Sequence, residues 1–215
     1  IKRSPNIIQT WKTKNIPKEY ELFVKKIKEL NPKSKYLFFS DNDINKFVKN
    51  KFPEYYDIFK KFPYKIQKID FFRYLAIYFY GGVYLDLDVS LKKTLLNIDN
   101  DKICKFPLEY NQNSDEILIK QGFNGLIGNY AFYAPKKSNF IKKIIDNIVA
   151  NRIKIDNLNL DYKKKIFYTT GPVLVTQTYI DYEDKEKIKL LKTKPFKNYQ
   201  FGNYGSHHLM GSWKK

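Results

Sequence analysis

Apolar residues recur along this chain with two periods, and the period sorts its segments into helices and strands. Asn6 to Thr10 reads as a short first strand ending at Trp11. From Pro17, the residues Tyr20, Phe23, Val24, Ile27 and Leu30 return every three or four positions, as one helix face does, up to the Asn31-Pro32 stop. Tyr36 to Phe39 predicts a second strand, after which Ser40 or Asp41 caps a helix carrying Ile44, Phe47 and Val48. Pro53 opens a further helix through Phe62, and Tyr64 to Tyr80 a longer one that stops at Gly81-Gly82. Directly afterwards Val83, Leu85, Leu87 and Val89 alternate with Tyr84, Asp86 and Asp88, which predicts a strand with one apolar and one polar face. Later segments read as loops at Asn97 to Asp101 and Asn111 to Asp115, and as an amphipathic helix from Ser138 through Ile141, Ile144, Ile145 and Ile148. Thr170-Gly171-Pro172 reads as a strand-to-helix turn and Ile188–Leu191 as a late strand. Strand and helix alternate through the first half, so the expected fold is a Rossmann-like α/β sheet whose ligands bind at strand ends.

The chemistry concentrates in Gly81-Gly82-Val83-Tyr84-Leu85-Asp86-Leu87-Asp88-Val89. Side chains two apart on an extended strand project to one face. Asp86 and Asp88 can therefore converge on one hard cation and on the phosphates it carries. Asp70 and Arg73 sit three apart on the preceding helix and share a face. On an arbitrary helix such a pair is a surface ion pair of little energetic value. Here Phe71, Phe72, Leu75 and Phe79 surround it, and a buried carboxylate and guanidinium beside the metal strand can bond sugar hydroxyls or a phosphate. His207 and His208 are the only histidines. A histidine near the terminus can fold back to complete an oxygen-rich site for Mn²⁺, which accepts imidazole more readily than Mg²⁺ does.

Composition narrows the partners. The chain has 215 residues, 43% of them hydrophobic, enough for the core of one domain spanning 1–215. Its formal charge is +18, yet only Arg3, Arg73 and Arg152 among its 40 basic residues are arginine. Specific phosphate and base contacts usually fall to arginine, so no nucleic-acid partner is expected. A general attraction to anionic membranes or acidic glycans fits the lysines better, and peripheral membrane association with it. The one cysteine, Cys104, rules out an intramolecular disulfide and points to a reducing compartment. The longest apolar stretch, Phe71 to Leu85, is broken by Arg73 and by Gly81-Gly82, so no membrane span and no secretory signal is expected. The expected location is cytoplasmic, including the inner face of the membrane.

These motifs resemble a known family. The run Asp70-x-x-Arg73-Tyr74, followed by Tyr80 to Asp88, is similar to the sugar-binding DXD region of glycosyltransferase family 32, the capsular, mannosyl- and galactosyltransferases. It also resembles the catalytic domain of the large clostridial glucosylating toxins. Ile7 to Trp11, Ser40-Asp41, Asn124-Gly125, Thr170-Gly171-Pro172, and His207 with Gly211-Ser212-Trp213 resemble the flanking motifs. One departure is Ile8, where the family commonly carries histidine. The resemblance implies a GT-A fold, a retaining, metal-dependent transfer with Mn²⁺ or Mg²⁺, and a nucleotide-sugar donor, UDP-Gal or UDP-Glc before GDP-Man. It implies a glycan or lipid-linked oligosaccharide acceptor. Trp11 would stack on the base, with Gln9 and Thr10 lining the nucleotide pocket. Asp70 and Arg73 would hold the donor sugar together with Tyr84 and Asn124, Asp86 the ribose and sugar side, and Asp88 the metal. Asp86, with His207 or Ser212, would complete the metal shell, while Ser212, Trp213 and Lys214 would close over the diphosphate. Two other readings compete. Asp86-Leu87-Asp88-Val89-Ser90 also resembles the first motif of haloacid-dehalogenase-like phosphatases, with Asp86 as nucleophile. The charge and the many aromatics suit a basic nucleic-acid or anionic-glycan binding module.

Overall fold

The computed structural model describes residues 4–110, 115–151, 153–155 and 159–211. Its first strand, β1 (Ile7–Trp11), is followed by α1 (Lys18–Leu30), whose buried Tyr20, Val24 and Ile27 confirm the helical period. β2 (Tyr36–Ser40) then leads into α2 (Asp41–Lys51). Ser40 and Asp43 form a reciprocal cap there, the Ser40 backbone N–H donating to Asp43 Oδ2 at 2.8 Å and the Asp43 N–H to Ser40 Oγ at 3.4 Å. Two more helices, α3 (Pro53–Lys61) and α4 (Lys65–Tyr80), come before the next strand. Strict alternation of strand and helix is thus broken, because α2, α3 and α4 pack against one another before the chain re-enters the sheet. α4 is buried over most of its length, including Gln67, Asp70 and Arg73, and ends where the Gly81 N–H donates to the Ile77 carbonyl at 2.8 Å.

β3 (Gly82–Leu85) is shorter than the alternation predicts. Asp86, Leu87 and Asp88 form a turn, closed by the Val89 N–H donating to the Asp86 carbonyl at 3.1 Å, before β4 (Val89–Leu91) begins. The expected polar strand face does not exist either, since Val83, Tyr84 and Leu85 are all fully buried. β3 lies in mid-sheet, with one large apolar cluster on one side and a smaller one on the other. Leu87 mimics the alternation because it packs into a separate cluster with Tyr20 and Val24 of α1.

The chain continues through β5 (Cys104–Glu109), α5 (Glu116–Lys120), β6 (Leu126–Ile127) and β7 (Ala131–Ala134). Asp115 caps α5, while residues 111–114 of the predicted loop lie outside the described residues. Ser138 caps α6 (Asn139–Val149) as expected. Thr170-Gly171-Pro172 joins α7 (Tyr162–Thr169) to α8 (Pro172–Ile180), a helix-to-helix corner rather than a strand-to-helix turn. β8 (Ile188–Leu191), β9 (Gln200–Phe201) and β10 (Gly205–His207) complete the described elements. The main sheet has seven strands in the order β2-β1-β3-β7-β5-β6, with β8 on β5. It is mixed: β1 is parallel to β2 and β3, β7 is antiparallel to β3 and β5, and β8 is parallel to β5. A small antiparallel sheet, β4-β10-β9, brings the end of the described chain back beside the Asp86–Asp88 turn.

Candidate active site

A cavity of about 610 Å³ opens at the ends of β1 and β3. Helices α4 and α7 wall one side and the segment after β10 the other. Arg73 stands at its centre. Its Nη2 lies 3.0 Å from Asp70 Oδ1 and 3.4 Å from Asp86 Oδ1, its Nη1 donates to the Asn129 carbonyl at 2.6 Å, and its guanidinium lies 4.6 Å from the centre of the Tyr84 ring. Nε is buried without a partner, which leaves a donor for a ligand. Asp70 accepts from Thr170 Oγ1 at 2.9 Å and from Asn129 Nδ2 at 3.3 Å. Burial pushes the Asp70 carboxyl up to about 6 despite Arg73. Asp86 is raised for the same reason, Arg73 again opposing. Burial alone would lower Arg73, but the Asp86 carboxylate and its neighbours hold it above its ordinary value.

The second half of the site comes from the turn and from β10. His207 Nε2 sits 3.2 Å from Asp88 Oδ1, and the Met210 N–H donates to Asp88 Oδ2 at 2.9 Å. Burial works against the charged form of Asp88, yet the His207 contact and the Met210 N–H hold it below the usual carboxylate range. Asp86, Asp88 and His207 each present a ligand atom, all within 4.8 Å of one another. Among the described residues this is the one such group. His208 faces away, with Nε2 2.7 Å from Ser90 Oγ and its ring stacked on Phe23.

Thr10 and Trp11 line the cavity, Trp11 edge-on to Tyr20 at 5.2 Å. Gln9 does not reach it: the side chain is fully buried, its Nε2 donating to the Asp86 carbonyl at 3.2 Å and its Oε1 accepting from Tyr36 at 2.9 Å. Tyr84 is likewise buried below the floor, its hydroxyl donating to Asp86 Oδ1 at 2.9 Å and lying 3.3 Å from Thr10 Oγ1. Both position the Asp86 turn rather than touch the space above it. Asn124 is exposed ahead of β6 and is not part of the lining; Asn129, five residues on, occupies the site instead. The Asn124-Gly125 pair drew the sequence assignment, whereas the signal for Asn129 is its place just before the buried strand Ala131–Ala134. Ser212, Trp213 and Lys214 lie outside the described residues.

Residues 6–106 match the family described as "Glycosyltransferase sugar-binding region containing DXD motif". Over this segment, just under half of its length, the chain is similar to the DXD glycosyltransferases. The chain is 29% identical over 173 residues to inositol phosphoceramide mannosyltransferase 3 of Schizosaccharomyces pombe, covering 80% of this chain and 44% of that protein. It is 36% identical over 104 residues to mannosyl phosphorylinositol ceramide synthase SUR1 of Saccharomyces cerevisiae, 48% of this chain and 26% of that protein. The matched segments thus span less than half the length of these two relatives. Among solved structures, the PaToxG glycosyltransferase superposes with a TM-score of 0.56 at 20% identity, over 86% of this chain and 72% of that one. The fold is GT-A, as the toxin resemblance implies.

Proposed function

We propose that this domain, acting as a single catalytic unit, transfers one hexose with retention from a nucleotide-sugar to a hydroxyl of a glycan or lipid-linked acceptor. The observation that carries this reading is the convergence of Asp86, Asp88 and His207 beside the buried Asp70–Arg73 pair. Two carboxylates and one imidazole form an oxygen-rich set with a single nitrogen, which fits Mn²⁺ better than Mg²⁺. A cation bound there supplies positive charge against the diphosphate as it departs. Asp70 and the free Nε of Arg73 orient the hydroxyls of the donor sugar, and Trp11 offers its ring to the base. Ser212 is assigned to the metal, and Trp213 and Lys214 to cover the diphosphate. No side chain is assigned as nucleophile, so the acceptor attacks on the face the diphosphate leaves, its proton passing to the leaving phosphate oxygen.

The names of the relatives favour mannose as the transferred sugar, hence a GDP-mannose donor, over the UDP-galactose or UDP-glucose that the capsule-enzyme resemblance favours. An amphipathic acceptor suits the cavity, because Ile66 and Ile69 of α4 and Ile166 and Phe167 of α7 give it one apolar wall. No helix among the described residues is long and apolar enough to cross a membrane. The basic surface supports work at an anionic membrane face, and a lone cysteine, Cys104, fits the cytoplasmic side. The test is thermal stabilisation by GDP-mannose, UDP-glucose and UDP-galactose, each with Mn²⁺ and with chelator. A Mn²⁺-dependent rise in Tm with one donor is expected and names the sugar. The absence of a rise with every donor overturns the reading.

A further inference from the structure

The nucleotide-sugar reading leaves one end of the cavity without a role. Glu109, the last residue of β5, and Tyr130, just before β7, both line the cavity and are only 8% and 6% exposed. Glu109 Oε1 and the Tyr130 hydroxyl are buried without a hydrogen-bond partner. Burial raises the Glu109 carboxyl, and the nearby Tyr130 hydroxyl, His207 and the Tyr199 backbone oppose the rise, yet none of these contacts closes a hydrogen bond of normal geometry on Glu109 Oε1 or the Tyr130 hydroxyl. Buried polar groups are seldom left unpaired, so these mark a place where a ligand hydroxyl is missing.

The surroundings define that ligand. Tyr110 and Tyr199, each 41% exposed, stand at the rim. The Asn198 side chain locks the two segments together, accepting from the Tyr110 N–H at 2.9 Å and donating to the Tyr110 carbonyl at 2.7 Å. Two tyrosine rings at a rim suit the apolar face of a saturated ring, and a carboxylate with a phenol below suits its hydroxyls. The lysines of the lining, Lys12, Lys65 and Lys163, come from other elements, and the one basic side chain that acts on Glu109, His207, is engaged with Asp88, so the pair suits a neutral ligand better than an anionic one. We infer that Glu109 and Tyr130, rimmed by Tyr110 and Tyr199, form the acceptor subsite, and that it takes a neutral polyhydroxylated ring, a sugar or cyclitol, by its hydroxyls. The assignment rests on the proposed glycosyl transfer, to which it adds the chemistry of the acceptor. Glu109 touches the acceptor here; it does not act through His207, whose ring stacks on Tyr130 at 4.2 Å.

The experiment is saturation-transfer NMR with methyl α-D-mannopyranoside and with myo-inositol, on the wild type, Glu109→Gln and Tyr130→Phe, beside the donor-plus-Mn²⁺ Tm shift of each protein. Saturation transfer to ring protons of a probe is expected in the wild type, cut at least fivefold in both variants, with the donor shift unchanged. No signal from either probe in the wild type, or an undiminished signal in both variants, overturns the subsite. Loss of the donor shift in Glu109→Gln also overturns it, because Glu109 would then serve His207 and the metal. A wild type that binds a probe but shows no donor shift leaves the polyol site standing and fails the glycosyltransferase reading alone.

Discussion

Arg73 shows how few groups define this site. Its guanidinium bridges Asp70, Asp86 and the Asn129 carbonyl while Tyr84 covers it, and both Asp70 and Arg73 are almost wholly buried. Removing one partner of a buried pair leaves the other uncompensated, so Arg73→Ala is expected to cost about 3–5 kcal/mol. That is on the order of 10 °C in Tm for a chain of this size, readable by calorimetry. Asp88→Ala affects chemistry more than stability. It removes a metal ligand and frees the Met210 N–H, so the Mn²⁺-dependent donor shift disappears and transfer falls by about 100-fold or more. Metal-dependent donor hydrolysis retained by Asp88→Ala would refute the ligand set. The carboxyl of Asp70, raised to about 6, sets a pH limb. Below that pH it is protonated and no longer offers Arg73 and the sugar a charge, so donor affinity falls as pH drops through 6, and Asp70→Asn flattens this limb in a pH series of Tm shifts. Its effect on stability runs the other way. The folded value lies above the ordinary 3.8, so the contribution of Asp70 is greatest below 3.8 and is lost as pH rises through about 6.

At the scale of elements, two glycines hold the site in register by close approach. A Cβ on Gly82, at φ 112°, would lie 2.3 Å from the Asn6 carbonyl oxygen, where β3 passes the start of β1. A Cβ on Gly205 would lie 2.2 Å from the Ser90 carbonyl oxygen, where β10 lies on β4 and carries His207 toward Asp88. Gly205→Ala therefore pushes β10 off the DXD turn. Its expected cost in stability is about 1–3 kcal/mol, as for overpacking elsewhere. Its effect on Mn²⁺ affinity by titration calorimetry is larger, because His207 moves with the strand; unchanged affinity would mean that His207 is not a ligand. These contacts also explain what could be read from the sequence. The helix of Asp70 and Arg73 was legible from its length and from the Gly81-Gly82 stop, not from an amphipathic period, since α4 is buried from Asp70 to Ile77. The turn at Asp86–Asp88 was not, because Leu87, buried against α1, supplies the same alternation a strand would. At Gly171 the helix after the turn was expected, and the element missed is α7 before it, whose buried Ile166 and Tyr168 lie two apart and supply the alternation of a strand.

Over the whole molecule, the sheet order puts the first strand, the central turn and the final hairpin at one place, a convergence that local patterns do not encode. Residues 10, 70, 88, 129 and 207 meet around one cavity; the chemistry of a late histidine and the resemblance to known enzymes brought His207 to the segments of Thr10, Asp70 and Asp88, while Asn129 was not anticipated. Net charge acts at this scale too. At +18 the chain carries far more cation than its active site uses, and the excess is lysine. Lysines on a solvated surface attract anionic lipid headgroups at about 1 kcal/mol each when close, and the attraction decays over about 10 Å at 0.1 M salt and about 3 Å at 1 M. Binding to phosphatidylserine vesicles is therefore expected at low salt, with release at 1 M NaCl, and none is expected to pure phosphatidylcholine. Sedimentation with vesicles measures it. The same assay with Asp86→Ala/Asp88→Ala separates surface from site: membrane binding is retained because the lysines are untouched, while the donor shift is lost. If the double variant instead gained strong salt-sensitive affinity for single-stranded nucleic acid, the basic-module reading would return, with the two aspartates acting as the repulsive element that suppresses it.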